Sequence, residues 1–217
     1  MTETRRKIIE AAECEFAERG YGGASIRGIT QRAGVNVAAI SYHFGNKQTL
    51  FKEMARYRIE PINQLRLRLL NEAQASEGSR PLSLERIVDI IVRPLFEALM
   101  SKESEDFRFM RAVGRGLSES QDFMKDLHRD ILKEVIPAFS RALSDALGHP
   151  KPDQMAYGMH LLSSTLCGSM LQHPNLEFMS QGRVDLRDVD ALAGNLVAFL
   201  SGGLRRVCES NERESPR

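Results

Sequence analysis

The chain has 217 residues, 42% apolar and 27% charged, with 30 Lys and Arg balanced against 29 Asp and Glu and only three cysteines. Ordinary apolar content at near-neutral charge excludes an intrinsically disordered chain, and no apolar run reaches the ~18 residues of a membrane span. Cysteines at 14, 167 and 208 are odd in number and far apart, which excludes a disulfide framework and fits a reducing, cytoplasmic setting.

Helical periodicity dominates from the start. Ile8, Ile9, Ala12, Phe16 and Ala17 share one face, with Glu10, Glu13, Glu15 and Arg19 on the other, and Gly20, Gly22 and Gly23 end the helix. The polar segment Met1–Lys7 leads into this amphipathic stretch and lacks a signal peptide's apolar core. No period-2 alternation is sustained anywhere, so the chain is read as all-α, with helices at 3–19, 26–33, 37–44, 47–75, 83–101, 104–118, 121–147, 154–172 and 187–208. Connections fall at 74–82, 148–153 and 173–186, each carrying proline and glycine, and 209–217 reads as a frayed tail. Pro61 and Pro137 lie inside helical patterns and are expected to kink or break them.

Residues 25–47 carry the most specific pattern. Ser25 is an N-cap candidate for a short helix whose inward residues are Ile26, Ile29 and Ala33. Gly34 suits a left-handed turn, and Asn36 can cap a second helix with Ile40 and Phe44 facing inward. Two short helices joined by a three-residue turn containing glycine make a helix-turn-helix, whose second helix presents Ala38, Ala39, Ser41, Tyr42 and His43 outward. A tight corner in an ordinary helical bundle would have the same pattern. Charge separates in the same direction: residues 1–58 hold ten Lys and Arg against six Glu, leaving a mildly acidic remainder.

The stretch from Arg6 to Tyr57 also resembles the TetR-type transcriptional regulators. The matching residues are Ile8, Ala11-Ala12, Phe16, Gly20-Tyr21, Ser25, Ile29, Ala33-Gly34-Val35-Asn36, Tyr42-His43-Phe44, Asn46-Lys47 and Leu50-Phe51. Thr30 departs from the family's usual alanine and Asn36 from its common serine; both are small or cap-competent. The resemblance implies a helix-turn-helix DNA-binding domain at 1–52, a helical ligand-binding and dimerisation domain at 53–208, and the tail at 209–217. It implies a homodimer that grips successive half-sites of a palindromic double-stranded operator, usually as a repressor, and is released by a small apolar or amphipathic effector.

Ser25, Arg27, Asn36, Val37, Ala38, Ala39, Ser41, Tyr42, His43 and Lys47 are then the expected DNA contacts. Lys47 is assigned to a phosphate with backbone N–H groups at its helix start, and Ser25 and Arg27 to the sugar-phosphate backbone. Tyr42 and His43 are donors to phosphate or base edges, and the two alanines make apolar contacts. No Arg, Lys, Asn or Gln follows Asn36 in the second helix, so the operator sequence is not legible.

Seven of the nine methionines lie beyond residue 95, and Met suits an adaptable apolar cavity. Phe96, Met100, Phe107, Met110, Met155 and Met159 are the pocket candidates, although Met or Phe at helical spacing also builds ordinary core. The segment 109–121 is weakly similar to a branch of the family that senses fatty acids or acyl thioesters. The resemblance implies that helices near 154–172 and 187–208 form the dimer interface, through Leu161, Leu162, Thr165, Leu166, Gly168 and Ser169 on one and Leu192, Leu196, Val197, Phe199, Leu200 and Leu204 on the other; a monomer's internal core is the competing reading. Glycines 158, 168, 194 and 202 would permit close approach.

Two other readings are weighed: a constitutive DNA-binding protein with a protein-interaction bundle, and an all-helical enzyme. The enzyme has little support, because no HExxH, CxxC, P-loop or GxSxG occurs and Gly114-Arg115-Gly116 lacks a following glycine and a preceding strand. No catalytic residue, metal site or cofactor is assigned. His160 and Cys167 are two turns apart and read as packed interface residues.

Overall fold

The computed structural model describes residues 1–78, 80–100, 122–171 and 173–209, and among them every regular element is an α-helix. In chain order these are α1 (Glu3–Gly23), α2 (Ile26–Ala33), α3 (Val37–Phe44), α4 (Lys47–Glu77), α5 (Leu84–Met100), α6 (Asp122–Leu132), α7 (Val135–Ala146), α8 (Pro152–Leu171), α9 (His173–Ser180) and α10 (Val189–Glu209). The described residues form two compact units, 1–61 with 122–132 and 62–100 with 133–209. The division falls inside α4, at Pro61.

The first unit is built on one apolar face of α1. Ile8, Ile9, Ala12 and Phe16 are buried together with Ile29 of α2, Ile40 of α3, and Leu50, Phe51 and Met54 of α4. Gly20 takes φ 70° and ψ 175°, so the regular helix breaks there although helical turns resume to Gly23. That break brings Tyr21 onto an aromatic cluster. Its ring lies 5.5 Å from Phe51 and 4.8 Å from Phe123 of α6, while Phe16 meets Phe51 edge-on at 4.9 Å. Pairs of this kind each add roughly 0.5–1.5 kcal/mol beyond the area they bury. Periodicity alone reads 121–147 as one helix of the C-terminal body. Its first half instead packs with α1 and α4, and Arg56 reaches Asp130 of α6 at 3.1 Å.

The break between α6 and α7 has a local cause. Pro137 is the third residue of α7 and has no N–H for the carbonyl of residue 133, so the helix restarts just before it. Pro61, by contrast, does not break α4, which is assigned through it as one helix.

In the second unit α10 packs against α5 and α8, and α7 packs against both of those helices. Ile87, Val88 and Val92 of α5, Phe139 and Leu143 of α7, Leu162, Leu166 and Met170 of α8, and Ala193, Leu200 and Leu204 of α10 are the buried faces. Ion pairs Arg205–Glu85 and Arg93–Asp190 join α5 to α10 at the surface, where such pairs contribute little. The segment 173–186 is not the simple connection its Pro174 and Gly182 suggest. Pro174 sits in the first turn of α9, where a missing N–H costs nothing. Gly182, at φ 73°, closes the helix and donates its N–H to the Glu177 carbonyl at 3.0 Å. No helix among the described residues is long and apolar enough to cross a membrane.

Phe51 is fully buried and touches three of the cluster's rings. Phe51→Ala is expected to cost about 3–5 kcal/mol, read from urea unfolding. A loss below 1 kcal/mol would show that the cluster does not hold the first unit together.

Candidate nucleic-acid interface

The corner between α2 and α3 is set by caps at each of its joints. Ser25 Oγ accepts from Gly28 N at 2.9 Å, and Asn36 Oδ1 accepts from Ala39 N at 2.9 Å. Gly34, at φ 66°, takes the left-handed turn that a Cβ would make costly, and Val35 N closes it on the Thr30 carbonyl at 3.0 Å. Asn46 repeats the device for α4, its Oδ1 accepting from Thr49 N at 2.9 Å. Both expected caps and the glycine turn are present as the sequence pattern indicated.

With Ile40 and Phe44 buried, the opposite face of α3 is left open. Ser41, Ala38 and Asn36 are exposed, Val37 is 47% exposed and Tyr42 85%. Ser25 and Arg27 are exposed on the α2 side, whereas Ala39 and His43 are half-buried. Tyr42 and His43 meet edge-on at 4.9 Å, so the two rings form one projecting aromatic ridge. The ten residues expected to meet DNA therefore lie on α2, α3 and the start of α4, but they are not equivalent. Ser25 and Asn36 spend an oxygen on a cap, which leaves their exposed edges for further contacts.

Lys47 differs most from its sequence-based role. Its Nζ donates to the Tyr21 carbonyl at 2.8 Å and the Ala24 carbonyl at 3.0 Å, and sits 4.6 Å from the Tyr21 ring centroid. Two of the three ammonium donors thus close off the end of α1, and one is left to reach a phosphate.

Sequence reasoning missed the charged groups that aim the corner. Glu13 and Glu15 were expected on the polar face of α1, yet they are 2% and 1% exposed. Glu13 accepts two bonds from Arg58, at 2.5 and 2.7 Å. Glu15 lies beneath the start of α2, accepting from Ser25 N at 3.4 Å with Arg19 at 3.4 Å and Arg32 at 3.8 Å. A carboxylate there complements the helix's positive end. The one sequence signal was Gly28: glycine inside an eight-residue helix costs about 1 kcal/mol. A Cβ on it would lie 2.2 Å from Glu15 Oε1, so a larger residue would displace the carboxylate. Arg5 adds a third tie, to Glu53 at 2.6 Å and to the His43 carbonyl at 3.5 Å.

The second unit holds an open groove of about 1030 Å³, with Phe96, Leu176, Met179, Leu192 and Leu196 along its wall and Arg183, Asp185 and Asp188 among its polar residues. Of the six pocket candidates, Phe96 lines it. Met155 and Met159 are half-buried and are not among its lining residues. Phe107, Met110, the side chain of Met100 and the segment 109–121 lie outside the described residues. Leu162, Leu166, Leu192, Leu196, Val197, Leu200 and Leu204 are buried within the subunit, whereas Leu161 and Phe199 are 49% and 69% exposed. Gly158 lets α8 approach α10, since a Cβ on it would meet Leu204 at 3.0 Å, but the space beside Gly168, Gly194 and Gly202 is open. No His, Cys, Asp or Glu group able to hold a metal occurs among the described residues, and His160 is exposed where Cys167 is half-buried.

Comparison with known proteins agrees with this architecture. Residues 8–54 match the model for bacterial regulatory proteins of the tetR family, and 89–203 match a tetracyclin repressor-like C-terminal domain. The transcriptional repressor AcnR of Corynebacterium glutamicum is 44% identical over 55 residues, which span 25% of this chain and 29% of AcnR. The matched stretch is therefore under a third of that relative. Among solved structures, the fatty acid degradation regulator FadR from Bacillus halodurans has a TM-score of 0.70 at 21% identity, covering 94% of this chain and 98% of its own. FadR from Bacillus subtilis, in complex with stearoyl-CoA, has a TM-score of 0.65 at 18% identity, covering 91% and 98%.

Lys47→Ala, measured without DNA, is expected to lower unfolding stability by about 2 kcal/mol through loss of two charge-assisted hydrogen bonds. An unchanged urea midpoint would leave Lys47 with no structural duty.

Proposed function

The chain belongs to the TetR family of bacterial regulatory proteins and is a DNA-binding transcriptional regulator, and from that premise we propose a homodimeric repressor that binds a palindromic operator and is released by a small amphipathic effector. The observation that carries the reading is the exposed face of α3. An eight-residue helix, capped by Asn36 and projecting Tyr42 at 85% exposure, matches what a major groove about 12 Å wide admits. Two such helices related by a twofold axis would need to lie about 34–36 Å apart, or a multiple of that. Repression is supported by the AcnR similarity, which falls on the DNA-binding segment.

Dimerisation is assigned to the outer faces of α8 and α10. Tyr157, Leu161 and Phe199 are exposed on these helices, and Leu161 and Phe199 line an apolar groove of about 180 Å³ with Thr165, Gly203 and Val207. Large apolar side chains grouped along two helices are what a subunit interface leaves bare in a single chain. The stearoyl-CoA bound by the Bacillus subtilis FadR supports an acyl-bearing effector for the second unit. The effector must prefer the DNA-incompetent arrangement, and moving a 1:99 population to 99:1 takes a preference of about 10⁴-fold.

Duplex selection from random oligonucleotides followed by gel shift tests DNA recognition. An inverted repeat should be recovered, and Tyr42→Ala should weaken its binding at least tenfold with stability unchanged; recovery of no sequence would remove the reading. Phe199→Glu should convert dimers to monomers in sedimentation and weaken operator binding with them. A monomeric wild type would move the interface elsewhere.

A further inference from the structure

Arg66 of α4 is buried in the second unit, at 7% exposure, with no carboxylate paired to it among the described residues. Its Nε donates to the Ile91 carbonyl of α5 at 2.8 Å and its Nη1 to Asn63 Oδ1 at 3.2 Å. Its Nη2, sealed from solvent, has no acceptor among the described residues. Desolvation pulls the guanidinium down to about 10, with the Cys167 thiol of α8 acting in the opposite sense, so the group is still cationic at neutral pH. Arg58 shows how the same helix treats an arginine that serves packing: it is matched to both oxygens of Glu13. An uncompensated buried charge is costly, and an apolar side chain of similar volume would serve packing better.

We propose that Arg66 is the recognition group for an effector carboxylate, so that the ligand of the second unit is an amphipathic monocarboxylic acid; this rests on the ligand-responsive reading above and names its ligand class. A neutral carbonyl or hydroxyl could accept one hydrogen bond from Nη2 but would leave the charge uncompensated. A carboxylate satisfies both, and can take two guanidinium N–H groups in the forked geometry that arginine favours. The apolar body of the acid suits the helices that Arg66 reaches, α5 through Ile91 and α8 through Cys167, which carry the buried apolar residues Ile87, Val88, Leu166 and Met170. Because Nη2 is closed off, the acid reaches it only when the unit rearranges. Binding then selects the rearranged form, which is the differential affinity an effector requires.

The full-length wild type, Arg66→Met and Arg66→Lys are titrated by calorimetry at pH 7.5 with hexanoate, dodecanoate, hexadecanoate and phenylacetate. Each acid is kept below its micellar concentration and is matched with its own primary amide. At least one acid should bind wild type tenfold or more tightly than its amide. Arg66→Met should abolish that preference while holding the amide within threefold, and the same acid should weaken operator binding by wild type. Should Arg66→Met not fold, the comparison is made on Arg66→Lys, which retains the charge without the fork. Loss of threefold or more for the acid alone supports the assignment; equal loss for acid and amide overturns it. Wild type that binds no acid, or binds acid and amide alike, overturns it. So does an Arg66→Met protein that melts lower with its acid preference intact, which would make Arg66 a structural buttress. Operator binding by untreated wild type is measured in parallel: its absence defeats the DNA reading, whereas its presence without acid discrimination defeats only the role of Arg66.

Discussion

An isolated helix of eight residues is unstable in water, because its first turn fixes about six dihedral angles for one hydrogen bond and so short a segment forms too few more to offset that. Both α2 and α3 are that short, so the surface offered to DNA exists only because other groups hold it. The Glu15 carboxylate beneath the start of α2 and the Lys47 ammonium over the end of α1 provide the hold. Each joins a charge to backbone groups that a helix end or loop leaves unsatisfied, so it fixes direction as well as distance. The aromatic cluster of Phe16, Tyr21, Phe51 and Phe123 supplies the apolar footing. The ridge of exposed Tyr42 and half-buried His43 inherits its orientation from these contacts.

Features governed by local chemistry were legible in the sequence. The caps at Ser25 and Asn36, the left-handed Gly34 and the buried pair Ile40 and Phe44 depend on residues a few positions apart, and all are in place. What escaped depends on partners distant in the chain. An i,i+4 partner such as Arg19 is what an exposed glutamate would have, and the contacts that mark Glu15 as inward-facing, to Ser25 and Arg32, lie ten and seventeen residues away. Periodicity joined 121–147 because α6 and α7 are both amphipathic, and it could not show that α6 shares a core with α1 and α4. Of the prolines, Pro137 marks a helix break as its sequence position indicated, Pro174 fits a first turn where the pattern suggested only a connection, and α4 continues through Pro61.

The second unit divides its apolar residues between two tasks. Leucines 162, 166, 200 and 204 close the subunit's own core, whereas Leu161 and Phe199, on the same helices, remain uncovered. One helix face therefore cannot be assigned wholly to core or wholly to interface. The sequence pattern, which grouped these leucines as one contact surface, lacked the angular resolution to separate them. Arg66 belongs to neither task, and a buried cation held by a carbonyl and an amide alone stands apart from the carboxylate-paired arginines of the first unit.

The contact between Glu15 and Gly28 also bears on how such a chain can drift over generations. With 2.2 Å between the carboxylate oxygen and the place a methyl would occupy, alanine at 28 would push the Glu15 carboxylate away from the start of α2. A shortened residue at 15 in turn gives up the anion beneath α2. The two positions are therefore coupled, and the cost of a change at either depends on the residue at the other.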